Sequence, residues 1–74
     1  MEIKWIGNYV IRFRIEGGTA VISANRDGLL SLAEQLVTLA EEEPGSHIHY
    51  DESNSLEDGS DELIIEKCIP FSHG

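Results

Sequence analysis

The sequence predicts an α+β fold: an antiparallel sheet of about four to five strands, made of an N-terminal meander and a C-terminal hairpin, with one helix packed on one face. Three features of the sequence carry that expectation. Apolar and polar residues alternate over 9–16, an apolar arc of helical period runs over 29–40, and two short apolar runs near the C-terminal end flank a polar connection. A chain of 74 residues is expected to form one small domain, residues 1–74, with a radius of gyration of about 11 Å.

Each element has a local cause. Gly7-Asn8 lies between extended runs, a two-residue hairpin signal. From there Tyr9, Ile11, Phe13 and Ile15 face one way and Val10, Arg12, Arg14 and Glu16 the other, as in a half-buried strand. Gly17-Gly18 supplies a second turn, and Thr19 to Ala24 returns to complete a three-stranded meander. Asn25 is a good N-cap, with Asp27 in the first turn where the helix dipole favours an anion.

The helix is predicted over 26–42. Leu29, Leu30, Leu32, Ala33, Leu36, Val37, Leu39 and Ala40 cover an arc of about 180° at ~100° per residue, leaving Ser31, Glu34, Gln35, Thr38, Glu41 and Glu42 on the other side. With that arc against the sheet, truncating Leu36 to Ala is expected to cost about 2–5 kcal/mol. Pro44-Gly45 stops the helix. Ser46 to Asp51 then forms a strand with Ile48 and Tyr50 on one face and His47, His49 and Asp51 on the other. Glu52 to Ser60 is a polar connection with Leu56 tucked onto the core. Asp61 to Ile69 is the last strand, central to the sheet because Leu63-Ile64-Ile65 is apolar on both faces.

Charge is the most telling feature. The net charge is −9, but residues 1–26 carry four cations against two carboxylates, whereas residues 27–66 carry twelve carboxylates and neither Lys nor Arg. Such a block repels phosphate backbones and anionic lipid, so nucleic acid and membrane surfaces are poor partners and a basic protein is the natural complement. The plainer reading is that acidity keeps a small protein soluble. Glu41-Glu42-Glu43 sits at the negative end of the helix, where each carboxylate costs ~0.3–1 kcal/mol at low salt. With no cation within four residues, this arrangement argues that the acidic face is kept for a use.

Motifs for chemistry are weak. His47-x-His49-x-Asp51 would offer three zinc-type ligands on one strand face, though a solvated or partner-facing patch explains it as well. Asp51 to Glu62 imitates a calcium-binding loop, but Leu56 stands where that loop needs Gly. Cys68 and His73 form the single local Cys/His pair, and a lone thiol in an apolar strand is usually structural and buried. One cysteine and an N-terminus without a signal-peptide pattern fit a reducing cytoplasm. No cofactor or metal is expected, and the chain is not expected to be an enzyme.

Two segments look familiar together. They are Ala24-Asn25-Arg26-Asp27-Gly28-Leu29-Leu30-Ser31-Leu32-Ala33-Glu34, and His47-Ile48-His49-Tyr50-Asp51-Glu52 continuing through Asn54-Ser55-Leu56-Glu57, Gly59-Ser60 and Glu62-Leu63-Ile64-Ile65-Glu66-Lys67. Spaced as they are across the helix, they are similar to immunity protein family thirty-two of bacterial polymorphic toxin systems, over about residues 21 to 67. The resemblance implies an inhibitor made by a toxin-producing cell for its own protection, with the cognate toxin as partner. Many antibacterial toxins are basic nucleases, and an acidic protein can take the place of nucleic acid on one.

Charge and expected exposure choose the candidate partner-binding residues: Glu41, Glu42, Glu43, His47, His49, Asp51, Glu52, Glu57, Asp58 and Asp61, with Tyr50 and Leu56 as apolar anchors. The alternatives are a small acidic accessory subunit of a larger complex, or a metal-binding protein using His47, His49 and Asp51.

Overall fold

A computed structural model describes residues 1–70. The elements run β1 (Ile11–Glu16), β2 (Thr19–Ala24), α1 (Arg26–Ala40), β3 (His47–Tyr50) and β4 (Leu63–Glu66). The fold is α+β, as the sequence predicts, but the single larger sheet is replaced by two antiparallel hairpins, β1-β2 and β3-β4. In the first, Phe13 faces Ile22 and Ile11 faces Ala24; in the second, Ile48 faces Ile65 and Tyr50 faces Leu63. Gly17 and Gly18 both adopt positive φ, 56° and 83°, which a two-residue hairpin turn of this hand requires.

The connection between β3 and β4 explains why the sheets stay separate. It runs along the open edge of β1, where the amides of Glu57 and Asp61 donate to the carbonyls of Ile11 and Phe13 at 2.9 and 2.8 Å. Side chains supply the other partners: Ser60 Oγ accepts from the Phe13 amide at 3.2 Å, and Asp61 Oδ2 from the Ile15 amide at 2.9 Å. The edge is thus satisfied by an irregular segment, half backbone and half side chain, and no regular strand forms there.

The N-terminal residues are not the first strand of a meander. They run beside α1, tied to it by the Ile6 amide donating to Ser31 Oγ at 2.7 Å and by Gln35 Nε2 donating to the Lys4 carbonyl at 2.8 Å. Asn25 joins three pieces at the helix start. Its Oδ1 accepts from the amides of Gly28, at 2.7 Å, and Val10, at 3.0 Å, while its Nδ2 donates to the Asn8 carbonyl at 2.9 Å. The expected N-cap is therefore also the clamp that holds the N-terminal segment in place.

That segment decides how α1 turns. Its buried residues are Gly28, Ser31, Leu32, Gln35 and Leu39, a stripe of helical spacing. Ser31 and Gln35 are 0% exposed, whereas Leu36 is 47% and Val37 65% exposed. The expected burial of the whole apolar arc is corrected: Leu32 and Leu39 are core, Leu29, Leu36 and Val37 are not. A backbone lying against the helix brings amide and carbonyl groups that need polar partners, and Ser31 and Gln35 provide them. Gly28 permits the close approach, since a Cβ there would stand 2.6 Å from the Val10 carbonyl oxygen.

The core gathers Ile11, Phe13, Leu32, Leu39, Ile48, Tyr50 and Leu56, with Ile3, Trp5, Tyr9, Ala24, Leu63 and Ile65 around them. Leu56 tucks inward, as its isolation in a polar segment suggests. Ile15 and Ile64 are exposed, so β1 outruns the core and β4 is a one-sided strand, not a central one. The helix stops at Ala40, two residues early, with Glu41 as its C-cap. The radius of gyration is 13.4 Å, more open than the predicted ~11 Å.

Candidate functional site

The acidic region begins at the C-terminal end of α1. There the amides of Glu41 and Glu42 turn back to the carbonyls of Thr38 and Leu39 at 3.2 and 3.0 Å, tightening the last turn. Glu41 and Glu43 are exposed and Glu42 half-buried. A cation does reach this end. Lys67, just after β4, places Nζ 2.7 Å from the Ala40 carbonyl and 2.8 Å from that of Glu42. The helix terminus is therefore compensated by a residue remote in sequence, which corrects the inference drawn from its missing local cation. Glu41 to Glu43 are not evidence of function merely by lying there.

On β3, His47 and His49 share the exposed face with ring centroids 5.3 Å apart. Asp51 does not join them as a third ligand. Its Oδ1 accepts from the amides of Ser53 and Asn54 at 2.9 and 3.0 Å, closing the turn after the strand. Among the described residues, no group of three or more His, Cys, Asp or Glu side chains is placed to hold a metal ion. The calcium-loop likeness dissolves in the same way. Glu52 Oε2 accepts from the Gly59 amide at 2.8 Å, and Asp61 is taken up by β1. These carboxylates organise the connection.

Tyr50 is fully buried, and Leu56 nearly so, which removes both as surface anchors. The Tyr50 hydroxyl donates to Gln35 Oε1 at 2.6 Å, and its ring meets the edge of Trp5 with centroids 6.3 Å apart. Burial pushes the phenol up to about 12 from its ordinary value of 10.0. The Trp5 ring in turn stacks on Tyr9. A chain of polar contacts thus runs from Tyr50 through Gln35 to the Lys4 backbone. Periodicity by apolar character missed it, although Gly28, Ser31, Gln35 and Leu39 keep helical spacing and could have been read as one packed face.

The surface carboxylates fall in separate places along the acidic region. Glu41, Glu42 and Glu43 lie at the C-terminal end of α1, Glu52, Glu57, Asp58 and Asp61 in the connection that runs along β1, and Glu62 and Glu66 before and at the end of β4, while His47 and His49 stand exposed on β3. The ion pairs among the described residues are Arg14–Glu16 at 3.1 Å and Arg26–Asp27 at 3.7 Å, so no cationic side chain pairs with any carboxylate from Glu34 to Glu66. Such carboxylates can attract a cationic surface over a Debye length and offer acceptors to Lys and Arg on contact. Cys68 is exposed, against the buried role expected of it, and the pairing considered with His73 lies outside the described residues. No helix is long and apolar enough to cross a membrane among the described residues.

A family model described as Immunity protein 32 matches residues 19–68. No curated protein and no solved structure matches the chain. The matched span begins with β2 and ends just past β4, so it includes α1 and the whole acidic region and leaves out the N-terminal segment and β1.

Proposed function

This chain belongs to the immunity protein 32 family, and from that membership we propose that it binds and neutralises a cognate bacterial toxin domain with a basic surface, in the cytoplasm of the cell that makes both. The carrying observation is that the carboxylates of Glu41, Glu42, Glu43, Glu57 and Asp58 form no ion pair among the described residues, the one cation at the helix end, Lys67, being bound to backbone carbonyls. Asp51, Glu52 and Asp61 contribute charge from fixed positions, and His47 and His49 stand exposed on β3.

Neutralisation on this reading is steric and electrostatic, not catalytic. The field of these carboxylates speeds encounter with a positive toxin surface, and docking then covers the groups that would hold the toxin's substrate. Rim charges of this kind govern association more than dissociation, so the association rate falls as salt rises. The test is rescue of cells expressing the toxin encoded by the adjacent gene. Wild-type protein is expected to protect, and a folded variant with Glu41, Glu42, Glu57 and Asp58 all changed to Lys is expected not to. Full protection by that variant overturns the electrostatic mechanism. Failure of the wild type to protect overturns toxin neutralisation itself.

A further inference from the structure

The rotation that buries Ser31 and Gln35 leaves the opposite problem on the other side of α1. Leu29 is 55% exposed, Leu36 47%, Val37 65% and Leu30 37%. Ala33 and Ala40 are exposed between and beyond them. At ~100° per residue, Leu29, Ala33, Leu36 and Ala40 fall in one row along the helix, with Val37 and Leu30 beside it, Glu34 and Glu41 along the far border, and the exposed Arg26 at the N-terminal end of the same face. The arrangement has the anatomy of an interface half, an apolar centre edged by charge. A stripe of this kind reaches the few hundred Å² that on small monomers often marks a functional patch.

Local propensity does not demand these residues, since Glu, Lys or Gln would serve a solvated helix face as well. Charge selects among occupants. A second copy would bring another net charge of −9 against this one. A partner with an apolar patch edged by Lys or Arg meets the centre and the border together.

We infer that the outward stripe of α1, centred on Ala33, Leu36 and Val37, is the apolar anchor by which this chain holds its toxin, with Glu34 and Glu41 meeting basic residues at its border. The inference rests on the neutralisation reading and gives it a surface: the stripe takes the anchoring role for which Tyr50 and Leu56 are too deeply buried. It also divides the labour. The carboxylates of the acidic region set how fast the partners meet, and the stripe sets how long they stay.

The experiment measures binding kinetics against a catalytically inactivated form of the toxin encoded by the adjacent gene. Three proteins are compared: wild type, Leu36→Ser/Val37→Ser, and Ala33→Glu, which adds bulk and like charge at the centre without removing an apolar contact. Both variants change exposed positions and are expected to melt as the wild type does. Each is expected to weaken binding by about a hundredfold through faster dissociation, with the association rate within a few-fold of wild type. Wild-type affinity in both folded variants overturns the stripe as anchor while leaving neutralisation standing. Absence of binding by the wild type overturns neutralisation, and the stripe with it. Sedimentation of the chain alone is expected to give a monomer, and a dimer dispersed by Leu36→Ser/Val37→Ser overturns the assignment in favour of a second copy.

Discussion

The two sides of α1 carry the reverse of what an amphipathic helix is expected to carry. Inward, Ser31 and Gln35 are sealed from solvent beside Gly28, Leu32 and Leu39; outward, Leu29, Leu36 and Val37 stand about half exposed. The inward side meets more than the face of a sheet. It also meets a length of backbone, residues 4–6, whose amide and carbonyl groups must be answered by side chains. The outward side is left about half exposed, so its leucines gain less by folding than Leu32 and Leu39 do. The contrast shows that a helix is oriented by the groups its neighbour presents, and that apolar content follows only where the neighbour is apolar as well.

Truncation on the two sides sharpens the contrast first. Leu39→Ala removes a core side chain and is expected to cost about 2–5 kcal/mol in urea unfolding, whereas Leu36→Ala is expected to cost no more than about 1 kcal/mol. Equal losses at the two positions would mean that the helix is turned differently. Next comes the polar contact chain. Gln35→Ala strands the Tyr50 hydroxyl and the Lys4 carbonyl, for an expected loss of about 2–3 kcal/mol, and Tyr50→Phe strands only the Gln35 oxygen, for about 1–2 kcal/mol.

Tyr50 also titrates. Its raised value means that the folded state resists ionisation more than the unfolded state does, so the stabilisation is complete below pH 10 and is lost as pH rises from there through about 12. Chemical denaturation at a series of alkaline pH values is expected to show that decline in the wild type and a weaker one in Tyr50→Phe. The smallest expected effect lies at the helix end. Lys67→Met withdraws the ammonium from the carbonyls of Ala40 and Glu42 and is expected to cost about 0.5–1 kcal/mol at low salt, less at high salt.

Particular residues show how far the sequence could be read. Asn25 as N-cap, the Gly17-Gly18 turn, the alternation of β3 and the inward fold of Leu56 all depend on neighbours a few positions away, and all are seen in the structure. The candidate site was legible as a region and not as a list. The carboxylates stand out by the absence of cations, but nothing local distinguishes that of Asp58, which makes no hydrogen bond among the described residues, from those of Asp51, Glu52 and Asp61, which close turns and edges. Tyr50 was misread because alternation put it on the right face of its strand and could not say how deeply that face is covered.

The sequence by itself determined that β1, β2, α1, β3 and β4 form, the approximate ends of α1, the acidic character of residues 27–66 and the resemblance to an immunity family, because each resides in local pattern or in composition, while the strand expected before β1 is absent. Tertiary structure decided the rest. It laid the N-terminal segment against α1 and so turned Ser31 and Gln35 inward and the leucines outward. It divided the sheet by fitting the 57–61 connection to the edge of β1, and it carried Lys67 across to the helix end that no nearby cation serves. The physical reason is common to all three. Backbone polar groups and helix termini must find partners when they are covered, and those partners come from whatever the fold brings near, at separations that no periodicity records.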